Sequence, residues 1–157
     1  MKIALDLKTV TGLIEGDPPH LRECMNEALA DGHELVMSSL VLHDLAHSAM
    51  ASEHAARKLA QLDAFIAQVD VAPWTSEDAL TAARLRADHE KVSGRAWQMD
   101  LPQILCAAQA LNHDWTIIVQ TPPMVPPLPQ SMRAVMARLG GALAALRTID
   151  WSAPSGD

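Results

Sequence analysis

This sequence predicts an α/β domain built on a mostly parallel sheet. Two patterns carry that expectation. Short apolar runs, KIALDL at the start, ELVM at 34–37 and TIIV at 116–119, have the length and composition of buried strands. Between them, apolar residues recur at three- and four-residue spacing, as in helices that bury one face. Strands alternating with helices imply crossover connections, and crossovers imply parallel pairing.

The elements follow in order. Lys2 to Leu7 reads as a strand with Asp6 near its C-terminal end. Asp17-Pro18-Pro19 is a helix start, and Leu21, Met25, Ala28 and Leu29 form that helix's apolar face until Asp31-Gly32 ends it. Glu34 to Met37 is a short strand. Ser38 or Ser39 caps the next helix, which carries Leu40, Val41, Asp44 and Leu45. Ser52 and Glu53 open another, with Leu59, Leu62 and Ile66 in step. Val69 to Ala72 reads as a strand closed by Pro73-Trp74, and Ser76 starts a long helix to about Lys91, broken by Ser93-Gly94. Asp100 stands as an N-cap, with Pro102 in the first turn, where its missing N–H costs nothing. An alanine-rich helix follows, then the β-branched strand Thr116 to Val119. A proline-rich link at 122–129, an added helix at 131–147 and a last strand from Thr148 to Trp151 complete a single domain over 1–151, with a flexible tail at 152–157.

Composition limits the function. A chain of 157 residues, 49% apolar, suffices for one core. A net charge of −7 argues against a broad basic face, so any nucleic-acid contact is local or mediated by cations. Cys24 and Cys106 sit in apolar helical patterns and read as buried free thiols of a reducing compartment. The N-terminal apolar run is broken by Asp6, unlike a signal peptide, and no run has membrane-spanning length. The expected location is the cytoplasm, with no membrane partner.

Three acids occur at recurring structural landmarks. Asp6 ends the first strand (LDLKTV), Asp44 lies in the helix after a Ser-Ser cap (SSLVLHDLAHSAM), and Asp100 opens the alanine-rich helix (MDLPQILCAAQAL). Each has a structural role open to it, as turn residue, exposed helical acid or cap. In this order, followed by TIIV and a terminal IDW, they resemble the PIN-domain nucleases, and within them the VapC/FitB-type toxins of toxin–antitoxin pairs. The resemblance implies a three-layer α/β/α domain with a central, mostly parallel sheet. It implies an endoribonuclease that uses Mg²⁺ or Mn²⁺, with Asp6, Asp44 and Asp100 as catalytic and metal-binding acids. It also implies RNA as substrate, a cognate antitoxin as partner and a homodimer. Hard divalent cations favour carboxylate oxygens, and such a metal acidifies bound water and steadies charge on a phosphodiester.

The chain departs from the family pattern at four places. Lys8 stands where a small polar residue is usual, Asp44 replaces a glutamate, Pro102 replaces an aliphatic residue, and Gln120-Thr121-Pro122 follows the last strand. Lys8 and Thr121 are therefore candidate site modulators; an ammonium at Lys8 would compete with a cation beside Asp6. A catalytically weak, protein-binding PIN-like module is the alternative these departures support. Arg84, Arg86, Lys91 and Arg95 are candidate RNA-phosphate contacts, or else a solvated helix face. A third alternative is a zinc hydrolase. His43-Asp44-Leu45-Ala46-His47 places two histidines on one helix face as in HExxH enzymes, with Asp at the base position and His54 as a further ligand.

Overall fold

The computed structural model describes residues 1–93, 101–119 and 145–151. The chain is α/β, and each of its strands lies in a parallel pair. Two compact units divide it, Met1–Trp74 and Thr75–Asp157.

The first unit runs β1 (Lys2–Leu5), α1 (Leu7–Glu15), α2 (His20–Ala30), β2 (Glu34–Ser38), α3 (Ser39–Met50), α4 (Ala55–Ile66) and β3 (Asp70–Ala72). Strand β2 pairs in parallel with β1 on one side and β3 on the other, with Leu5 opposite Met37 and Ser38 opposite Ala72. Ile3, Ala4, Leu5, Leu35, Val36 and Met37 are all buried. Consecutive buried residues need cover on both faces of the sheet, which is why these runs do not alternate with polar residues. At the opposite end of the strands, exposed Lys2 reaches Glu34 at 3.2 Å and Asp70 at 3.0 Å. Hydrogen bonding to Asp70, then to Glu34, raises the lysine pKa.

Helix α1 corrects the sequence reading. The first strand stops at Leu5, not Leu7, and Leu7–Glu15 is helical where no helix was expected. Thr9, Val10 and Thr11 are β-branched and weaken the helical signal. The Asp6 cap and burial of Val10 and Leu13 outweigh that preference. Gly16, at φ 74°, ends the helix in the left-handed conformation, its N–H donating to the Gly12 carbonyl.

Gly12 is required by close approach. A Cβ there would stand 2.8 Å from Leu21 Cδ1 and 2.9 Å from the Asp17 carbonyl oxygen. The leucine can turn aside, but the backbone oxygen cannot easily do so. Gly12→Ala gains helix propensity worth about 1 kcal/mol and pays for overpacking at roughly 1–3 kcal/mol. The expected net result is a loss of up to about 2 kcal/mol, read as a lower urea midpoint with unchanged slope.

The second unit contains α5 (Ser76–Ser93), α6 (Leu101–Asn112), β4 (Thr116–Val119) and β5 (Arg147–Asp150). Strands β4 and β5 are parallel, with Thr116 opposite Arg147 and Val119 opposite Asp150. Helix α6 begins at Leu101 and buries Ile104, Ala107, Ala108 and Ala110, while the expected cap, Asp100, lies outside the described residues. The proline-rich link, most of the expected helix at 131–147 and the tail at 152–157 lie outside the described residues. At the end of that expected helix, Arg147 already belongs to β5. Cys24 and Cys106 form no disulfide and are half-buried rather than fully buried. No helix among the described residues is long and apolar enough to cross a membrane.

Helix α5 starts with a reciprocal cap that the sequence reading did not single out. Asp78 N–H donates to Thr75 Oγ1 at 3.2 Å, while Asp78 Oδ2 accepts from Thr75 N–H at 2.9 Å and from the Thr75 hydroxyl at 2.8 Å. The other carboxylate oxygen accepts from Asn112 Nδ2 at 2.9 Å and lies 3.5 Å from His113 Nε2. Asn112 Oδ1 in turn accepts from the Thr81 hydroxyl at 2.9 Å. Asp78 is completely buried, and around it a partly buried polar network joins the start of α5 to the end of α6. Burial pushes the Asp78 pKa up. Hydrogen bonds from Asn112 and Thr75, with the nearby His113, outweigh burial and hold it below its ordinary value.

Candidate active site

Asp6 leaves β1 at its C-terminal end and becomes the N-cap of α1. Its Oδ1 accepts the Thr9 N–H at 2.8 Å. Because Leu5 is opposite Met37, Asp6 and Ser38 leave the parallel sheet at the same end. Ser38 caps α3 in the same manner, its hydroxyl accepting from Leu40 N–H at 3.2 Å. Two helices thus begin side by side here, with unpaired N–H groups and the positive ends of their dipoles at this edge. Carboxylates and phosphates are both favoured in such a field.

Asp44 lies in the second turn of α3 and is exposed. It stands on the wall of a cleft of about 190 Å³ formed by α1, α3 and α4. Leu7, Ile14, Leu45, Ala49 and Leu62 give the cleft an apolar lining, and Glu15 and Lys58 add charge. Leu7, which follows Asp6, belongs to that lining. Asp44 and the start of α1 therefore share one concavity. The sequence reading missed the cleft because it missed α1. The available signal was Asp6 three residues before Thr9, a capping spacing.

The other candidates have varied positions. Lys8 is exposed in the first turn of α1, and among the described residues it makes no ion pair with Asp6. Arg84 and Arg86 are exposed on α5 in the second unit, where Arg86 pairs with Glu90 one turn on at 3.1 Å. That pair lies on an exposed helix face. Asp100, Arg95, Thr121 and the Lys91 side chain lie outside the described residues, as does Trp97. His43 and His47 are exposed on α3, and His54 precedes α4. Among the described residues no three His, Cys, Asp or Glu side chains gather as a metal-binding group, so those histidines lack the third ligand a zinc hydrolase needs.

Solved structures share this backbone. A chain of the VapBC2 complex from Rickettsia felis, bound to a DNA fragment from its promoter, superposes with a TM-score of 0.72 at 17% identity, covering 96% of this chain and 99% of that one. A chain of DNA-bound VapBC from Salmonella typhimurium gives 0.71 at 21% identity, with 96% and 98% covered. FitAcB from Neisseria gonorrhoeae gives 0.62 at 13% identity, also with 96% and 98% covered. The chain has a VapC/FitB-type PIN-domain fold. At such identities the likeness is one of backbone. No protein-family model and no curated protein matches the chain. The PIN-like fold expected from the order of the acids is therefore borne out, and Asp6 and Asp44 occupy described positions within it.

Proposed function

We propose that this chain is the toxin of a VapC-like pair, a metal-dependent endoribonuclease that hydrolyses RNA phosphodiester bonds. The observation that carries the reading is the first unit's arrangement. Asp6 stands at the strand edge where α1 and α3 begin, and Asp44 stands on the cleft that α1 and α3 share. With Asp100 they would supply carboxylate oxygens alone, the donor type that fits Mg²⁺ or Mn²⁺. Such an ion, when bound, supplies acidity to water and positive charge to the phosphodiester.

The chain's own residues prepare that site. Thr9 N–H holds Asp6 through Oδ1, which fixes the carboxylate plane and leaves its second oxygen for a ligand. The starts of α1 and α3 attract the anionic backbone of RNA. The apolar cleft suits one side of an amphipathic segment, and the structural neighbours are two-component complexes; together these support an antitoxin as partner. A homodimer in the cytoplasm completes the reading.

RNA cleavage by the purified chain should need Mg²⁺ or Mn²⁺, stop with EDTA and return on adding Mn²⁺. Asp100→Asn should abolish it. Cleavage that persists in EDTA would sink the proposal. Absence of cleavage in both metals, together with co-purification of a small partner, would favour the protein-binding module, for which the apolar cleft is the supporting feature.

A further inference from the structure

On the exposed side of α3, His43 and His47 stand one turn apart, and neither lines the cleft. Residues four apart on a helix are surface neighbours. Their rings are nearly parallel, 11° between planes, with centroids 6.4 Å apart. His43 Nδ1 lies 3.0 Å from Asp44 Oδ1. An ionised carboxylate only accepts hydrogen bonds, so this contact places the His43 proton on Nδ1 and the lone pair on Nε2. A carboxylate behind one ring nitrogen, with the other nitrogen left to bind, is how metal-ligating histidines are commonly oriented.

We propose that His43 and His47 form a two-imidazole chelate for a borderline divalent transition ion, Zn²⁺ foremost, with Asp44 as the positioning residue for His43. Zinc–nitrogen bonds of about 2.0–2.1 Å in tetrahedral geometry place two imidazole centres roughly 5 Å apart. The observed rings are stacked, so they must close by little more than an ångström and also turn until one nitrogen of each faces the ion. Rotation of exposed side chains supplies that movement, since the His43 side chain is 74% exposed. Among the described residues no third His, Cys, Asp or Glu completes the set. The remaining coordination positions belong to water or to a ligand from outside. The site is thus an open surface chelate and not a closed structural zinc centre.

Its chemistry differs from that of the carboxylate site. Imidazole selects Zn²⁺, Ni²⁺ or Cu²⁺, whereas Mg²⁺ prefers oxygen. The chelate shares Asp44 with the proposed carboxylate site but does not rest on the nuclease reading, because Zn²⁺ binding is measured whether or not RNA is cut.

The test uses the untagged full-length chain at neutral pH, titrated calorimetrically with Zn²⁺ alone. A single equivalent should bind, and excess Mg²⁺ should not displace it. His47→Ala should weaken binding by about tenfold or more, and Asp44→Asn by about 10- to 100-fold, as for lost outer-shell partners. Added Ni²⁺ should broaden the imidazole NMR signals of His43 and His47 before those of other histidines. No saturable Zn²⁺ binding, or wild-type affinity in His43→Ala or His47→Ala, would overturn the site. Unchanged affinity in Asp44→Asn would overturn the positioning role.

Discussion

Asp78→Ala should destabilise the chain by about 3 kcal/mol. The substitution removes the acceptor for Thr75 N–H, the Thr75 hydroxyl and Asn112 Nδ2 together. A buried donor left without a partner costs roughly 1–3 kcal/mol. Thr75 borders solvent at the start of α5 and can recover water, which keeps the total below the sum of three full penalties. Asn112 has less freedom, because its carbonyl oxygen is held by Thr81. Asp78→Asn should fall between wild type and alanine. Its single oxygen can serve one side of the network, while its amide turns a donor toward other donors.

The same carboxylate gives the chain an acid-sensitive term. Its folded pKa lies below the ordinary value of 3.8, so ionised Asp78 favours the folded state. That contribution is fully present above the unfolded value. It is lost as pH falls from there through the lower folded pKa, because protonation then costs the native network its acceptor. Urea unfolding measured from neutral pH down to the acid range should show a steeper stability loss in wild type than in Asp78→Ala. Parallel pH profiles would show that Asp78 carries no linkage.

Much of the sheet and most helices were legible because their signals are local. TIIV and ELVM are apolar runs of strand length, and Ser38 precedes a helical pattern. Helix α1 was not legible, because its β-branched residues argue against helix and the Asp6 cap decides for it only together with the tertiary contacts of Val10, Leu13 and Gly12. Losing α1 also meant losing the cleft, whose first wall it forms. Asp78 was hidden for a different reason. Thr75-Ser76-Glu77-Asp78 reads as an ordinary polar helix start, and the partner that buries the acid, Asn112, lies far along the chain. Asp6 was found, but as a strand end. Its capping role follows only from the helix that the sequence concealed.

That double role makes Asp6 the most informative site for mutation. As a cap it accepts the Thr9 N–H, and asparagine caps helices about as well as aspartate. As the cation ligand proposed above it would supply negative charge, which asparagine lacks. Asp6→Asn should therefore unfold at the wild-type urea concentration while RNA cleavage in Mn²⁺ falls on the order of 10²–10³-fold, the usual scale for removing one electrostatic element of a catalytic site. Asp6→Ala should lose cleavage equally and also about 1 kcal/mol of stability. Full cleavage by Asp6→Asn would reduce Asp6 to a cap and leave Asp44 without its partner across the strand edge. Separating the two variants by stability alone, with neither able to cleave, would assign the carboxylate's geometry to the fold and its charge to the chemistry.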